Sequence, residues 1–116
     1  VDVDTAKKAG RVMRTETLVG SEGGCWIVTT IHGTCHRFDL DAMTVTRYPG
    51  ISSAPTVNDQ ARPLSEIVRC SVGERGYWTM RPEGQEADFL EYRWHLSSQI
   101  VSIDRAPVDP AGKPGE

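Results

Sequence analysis

The 116-residue chain has few aromatic residues, at 7%, and only 38% hydrophobic residues. That is too little apolar material for a thick helical bundle and enough for a thin β-barrel. No apolar run approaches the roughly 20 residues that a membrane-spanning helix needs. Val1–Gly24 holds no apolar stretch of the kind a secretory leader carries. Cysteine is sparse and odd in number: Cys25, Cys35 and Cys70. An odd count does not fit a fully paired disulfide framework, so the reading is a cytoplasmic protein with free thiols. Net positive charge is lacking as well. The formal charge is −3, and the ten Arg and three Lys do not form a basic block. Generic nucleic-acid binding draws on a positive surface that releases counterions from phosphate, so nucleic acid is not the expected partner. There is no phosphate loop either, because Gly73-Glu74-Arg75-Gly76 is short and lacks the Lys-Ser/Thr pair.

What is present reads as β-structure. Eleven Gly and seven Pro cut the chain into short segments. The strongest signal is Cys25–Leu40, where Cys-Trp-Ile-Val-Thr-Thr-Ile is dense in β-branched and aromatic residues. A two-residue turn at His32-Gly33 then returns the chain. That turn pairs Ile31 with Thr34 and predicts an inner face of Cys25, Ile27, Phe38 and Leu40, shared by Thr29 and His36. The outer face would carry Trp26, Val28 and Thr30 with Cys35, Arg37 and Asp39. Further strands are expected at Thr44–Tyr48, Leu64–Val72, Tyr77–Arg81 and Asp88–Leu96. Ser97-Ser98 should break the run before a short closing strand over Gln99–Ile103. In Asp88–Leu96 the more apolar set, Leu90, Tyr92, Trp94 and Leu96, is the expected core face. Ile51–Pro63 reads as a long loop, and Thr5–Thr17 has a weak helical pattern. The expectation is an all-β fold, a small SH3-like barrel or roll of about six short, mostly antiparallel strands, with a short N-terminal helix. A polar segment spans 1–23, the domain 24–104 and a disordered tail 105–116. Met13 marks where the natural start, or the folded part, is expected.

The candidate chemistry is thin. His32, Cys35, His36, Cys70 and His95 are the soft metal ligands, but no Cys-x-x-Cys pair announces a zinc site. Cys35 and His36 also point to opposite faces of one strand. No metal and no other cofactor is expected. A nucleophile needs a base in reach. Thr29 beside His36, and Cys35 beside Thr30, are the arrangements the register offers, and neither has an orienting carboxylate. Asp39 and Asp41 are the carboxylate pair to weigh for acid–base work, but Asp41 falls in a turn, where Asp bonds its own backbone. No catalytic residue is assigned and no enzyme is expected. The aromatics carry more. Trp26 is placed on the outer face, and Tyr77 and Trp78 are adjacent, so one of them should point outward. Aromatic residues beside Arg are the usual composition of a binding surface and also of a stacking platform for single strands.

The run Trp26-Ile-Val-Thr-Thr-Ile-His-Gly-Thr-Cys-His-Arg-Phe-Asp-Leu-Asp41, followed by Thr44-Val-Thr-Arg47, resembles a pattern in small β-rich proteins of actinobacteria and their phages. Val72-Gly73 and Ser98–Ile103 are similar too. The resemblance covers roughly Gly24–Asp104, rests on turns and strand patterns, and carries no activity. It implies a phage or prophage accessory protein acting on a host protein. The expected function is a non-enzymatic protein-interaction module whose site holds Trp26, Arg37, Tyr77 and Trp78. A nucleic-acid-binding small β-barrel is the alternative, and a small metal or thiol enzyme the third. An open strand edge would also permit a homodimer.

Overall fold

The computed structural model describes residues 14–50, 59–83 and 93–106. The expectations for 1–13, 51–58, 84–92 and 107–116 lie outside them. Seven strands form: β1 (Arg14–Thr15), β2 (Cys25–Thr30), β3 (Cys35–Asp39), β4 (Thr44–Tyr48), β5 (Arg62–Arg69), β6 (Arg75–Met80) and β7 (Arg93–Arg105). All pairings are antiparallel, in the order β1-β7-β2-β3-β4-β5-β6. A further β6–β7 pairing closes a barrel-like ring. Among the described residues there is no α-helix, and none long and apolar enough to cross a membrane. Arg14–Thr15 is therefore strand rather than helix, paired with Asp104 and Ile103. Leu18 is buried in the core, so the packed unit begins before Gly24.

The β2–β3 hairpin forms where the apolar runs place it, but one residue out of the expected register. Trp26 pairs with Phe38, Val28 with His36 and Thr29 with Cys35. The reason is the turn. A two-residue type I′ turn needs positive φ at both central residues, yet only Gly33 has it, at 87°. The loop is instead Ile31-His32-Gly33, closed by Thr30 N–H to Thr34 O (2.9 Å) and Gly33 N–H to Thr30 O (3.0 Å). A three-residue loop needs one left-handed residue rather than two, and Gly adopts it without a Cβ clash. A one-residue slip exchanges the two faces of a strand. So Trp26 and Val28 turn inward and join Phe38 and Leu40, while Ile27 moves to the outer face and is only half-buried. Cys25 shares that outer face but stays buried beside the Arg37 guanidinium (Nη2 to Sγ 3.4 Å).

The turn between β3 and β4 shows why Asp sits there. Asp39 Oδ1 accepts from the N–H groups of Asp41 (3.1 Å) and Ala42 (3.0 Å). Asp41 accepts from Gly24 N–H at 3.1 Å. Gly24 has a φ of +77°, and a Cβ there would lie 2.5 Å from an Arg105 guanidinium nitrogen. The missing side chain lets Arg105 lie over the Trp26 ring, 5.4 Å from its centre. Trp26 Nε1–H donates to Gly23 O at 2.8 Å, so its one polar group is satisfied.

The expected break at Ser97-Ser98 is absent. β7 runs through it, pairing its first half with β6 and its second with β2 and β1. Ser97 is buried, accepts from Gly76 N–H (2.8 Å) and donates to Ser98 O (2.6 Å). The register shifts between Arg75 and Tyr77 here, so the strand bends rather than ends. The core is Leu18, Trp26, Val28, Phe38, Leu40, Val45, Leu64, Cys70, Trp78, Met80, Ile100 and Ile103.

Candidate functional site

The four residues expected to form a partner site do not come together. Trp26 is 6% exposed and Trp78 1% exposed, so both are core. Trp78 meets Phe38 edge-on, with ring centres 4.8 Å apart. Arg37 is on the outer face of β3 and Tyr77 on that of β6. In the ring these strands are separated by β4 and β5 one way and by β2 and β7 the other. Only the expectation that one of Tyr77 and Trp78 faces outward survives, and it is Tyr77.

Tyr77 has other company. Its cross-strand partner on β7 is Leu96, and Thr79 is opposite Trp94. Trp94 and Leu96 are two residues apart and share a face. They are 57% and 45% exposed. This reverses the facing that the alternation predicts for β7, which puts Trp94 and Leu96 in the core. On the other side of β6, Tyr77 is opposite Arg69 and Thr79 opposite Glu66. Arg69 donates to the Arg75 carbonyl (3.2 Å) and Arg75 to the Ser97 carbonyl (2.8 Å). The outer face of β5–β6–β7 thus carries an aromatic and aliphatic patch, Trp94, Leu96 and Tyr77, beside two arginines. Directly opposed and diagonal side chains in a sheet are within reach of one another, so the patch is contiguous.

The inward side of the same bend is polar. His95 turns in and stacks on Trp78, with ring centres 5.1 Å apart. His36 meets Trp78 edge-on at 4.9 Å and His95 at 5.0 Å. All three histidines of the chain, with Thr30, Thr34, Arg47 and Leu96–Ser98, line one cavity of about 510 Å³. Arg47 is ion-paired with Asp59 (Nη1 to Oδ1 2.8 Å). Burial pushes the His36 imidazole down to about 3, helped by His95 and Arg47. Burial, then Arg47, also lowers His95. Both rings are therefore neutral at pH 7. Sequence reasoning missed this assembly, since the residues come from four separate segments.

The thiols do not join it. Cys35 is on the opposite face of β3 from His36 and touches Thr29 (3.6 Å). Thr29 does not meet His36, which pairs with Val28. Burial, with Glu22 nearby, raises Cys70 to about 12. Burial outweighs Arg37 in raising Cys25. Thiolate is the reactive form, so Ellman's reagent at pH 8 should titrate Cys35 quickly and Cys25 and Cys70 only on unfolding. Cys35→Ser should remove the fast phase, and rapid reaction of all three in native protein would contradict this burial. Among the described residues no group of three or more His, Cys, Asp or Glu is arranged to hold a metal. Comparison with protein-family models, curated proteins and solved structures found no match.

Proposed function

We propose that this chain is a non-enzymatic protein-interaction module that docks its partner on the outer face of β5–β6–β7. The supporting observation is the exposure of Trp94 and Leu96 beside Tyr77. Covering a large aromatic side chain that is more than half exposed is favourable, and aromatic residues with Arg dominate binding energies at interfaces. Arg69, which is within 3.9 Å of Glu74, and Arg75 at the rim offer guanidinium donors to a partner segment with an apolar centre and polar flanks. The resemblance to small actinobacterial and phage proteins is the ground for looking for that partner in a bacterial host.

The test is affinity purification from such a host with wild-type protein, Trp94→Ser/Leu96→Ser and Arg37→Ala. The double variant should lose the partner while keeping its urea midpoint close to wild type, because exposed substitutions change stability by roughly 0.5 kcal/mol or less. Arg37→Ala should retain the partner. Equal recovery by all three proteins, or no partner for wild type, would refute the proposal. Trp94 and Tyr77 beside Arg69 also have the make-up of a base-stacking platform. That reading requires oligonucleotide binding that weakens as salt rises.

A further inference from the structure

The docking face does not stop at Leu96. Past the β7 bend lies a groove of about 690 Å³, lined by Ile31, His32, Gly73, Arg75, Ser98 and Gln99. Its two walls are turns, the Ile31-His32-Gly33 loop on one side and Gly73-Glu74 on the other. Gln99 and the Ile100 backbone form the floor and tie both walls down. Ile31 N–H donates to Gln99 O (2.9 Å), and Gly73 N–H to Ile100 O (2.8 Å). Ile100 N–H donates to Glu74 O (2.8 Å), and Gln99 Nε2 to Gly73 O (3.3 Å). The backbone here already bonds to both walls, so a partner strand gains little by adding to it. Recognition in this groove falls to side chains.

Those side chains are uneven in charge. Among the described lining residues there is no carboxylate, and Arg75 carries a full positive charge. Arg75 Nε donates to the Ser97 carbonyl at 2.8 Å, which holds the guanidinium against the β7 bend. Both of its Nη groups are left without a partner among the described residues. Glu74, next to it in sequence, lies 3.9 Å from Arg69. Two guanidinium groups therefore share one carboxylate, and one positive charge is left over. A carboxylate is the matching ligand, because its two oxygens accept parallel bonds from a guanidinium. A Cβ at Gly73 would meet nothing within 4 Å, so that wall leaves the groove open.

The groove also joins the apolar patch. Arg75 is opposite Gln99, and Tyr77 is opposite Leu96. Gln99 and Leu96 are three residues apart on β7, roughly 10 Å of strand. His32 and Ser98 line both this groove and the cavity beside Leu96, so the surface is continuous.

We propose that this groove takes an Asp or Glu side chain of the partner, paired with Arg75, in a segment whose apolar anchor, about three residues away, covers Leu96 and Trp94. The inference rests on the docking face proposed above and names the chemistry of the partner segment.

The test is selection from a random peptide library against the full-length protein. Wild type should enrich peptides that hold Asp or Glu about three residues from a Trp, Phe, Leu or Ile. A selected peptide, synthesised with both ends blocked, should bind Arg75→Gln about tenfold more weakly. Its own Asp→Asn or Glu→Gln analogue should lose as much against wild type. Added salt should weaken binding to wild type and leave Arg75→Gln nearly unchanged. Arg75 is exposed, so the variant should keep its urea midpoint. Enriched peptides without an acidic residue, or equal affinity for Arg75→Gln and wild type, would overturn this inference. If such peptides still fail to bind Trp94→Ser/Leu96→Ser, the docking face stands without the groove. If no peptide is enriched, or if the enriched ones bind that double variant as well as wild type, both readings fall.

Discussion

Trp78→Ala is expected to cost about 3–5 kcal/mol, the range for deleting a large buried aromatic. Trp78 is almost fully buried and its ring meets Phe38, His36 and His95 at 4.8, 4.9 and 5.1 Å. Neighbours held on two separate strands, β3 and β7, cannot collapse into the space together, so a cavity remains. A domain of this size has a total stability of about 5–15 kcal/mol, so the variant should sit near its unfolding threshold at 37 °C. Urea denaturation followed by circular dichroism measures the loss. Trp94→Ala is the comparison, because the residue type is the same and the burial is not. It should cost well under about 1 kcal/mol. Equal losses from the two variants would mean that the inner and outer faces of the β6–β7 pair are wrongly assigned.

Lowering the pH from 7 to 4.5 should destabilise the protein by about 2–3 kcal/mol through His36 alone. The folded-state value of His36 is about 3, against 6.5 for the free side chain. Between those values the unfolded chain takes up a proton that the folded protein refuses. The stabilisation is therefore complete above pH 6.5 and falls by about 1.4 kcal/mol for each unit below it. It is exhausted as the pH approaches 3. His95 is shifted in the same direction, by burial first and Arg47 second, and adds to the slope. Urea midpoints at pH 7.5, 6.5, 5.5 and 4.5 would measure the effect. His36→Leu, which has no proton to gain, should flatten the acid limb even if its stability at pH 7.5 is lower. An unchanged slope in that variant would mean that His36 is not held neutral by its surroundings.

The two predictions meet in one feature, a polar pair of rings stacked on a core tryptophan. Periodicity cannot show such a feature. Along Asp88–Leu96 the alternation separates Trp94 and Leu96 from Arg93 and His95, and hydropathy puts the first pair inside. The structure puts His95 inside because a neutral imidazole can stack on Trp78 and face a cavity. Trp94 is left on the water side. The same limit applies to Trp26, whose facing depends on whether the loop after Thr30 has two residues or three. Both loops begin with the same letters, and only the cost of a second left-handed residue at His32 separates them.

Local chemistry in the sequence determined the β character, the hairpin within Cys25–Leu40, the strand at Thr44–Tyr48 and the left-handed glycine at position 33. It also placed Phe38 and Leu40 inside, because β3 keeps its facing in either register. Tertiary structure alone decided which tryptophans are core, that β7 passes through Ser97-Ser98 and closes the ring, and that His36, His95 and Arg47 share a cavity. The physical reason is range. Strand propensity and turn geometry act over a few residues. Facing and cavity formation depend on pairings such as Trp78 with His95 and Val28 with Ile103, between residues far apart in the chain.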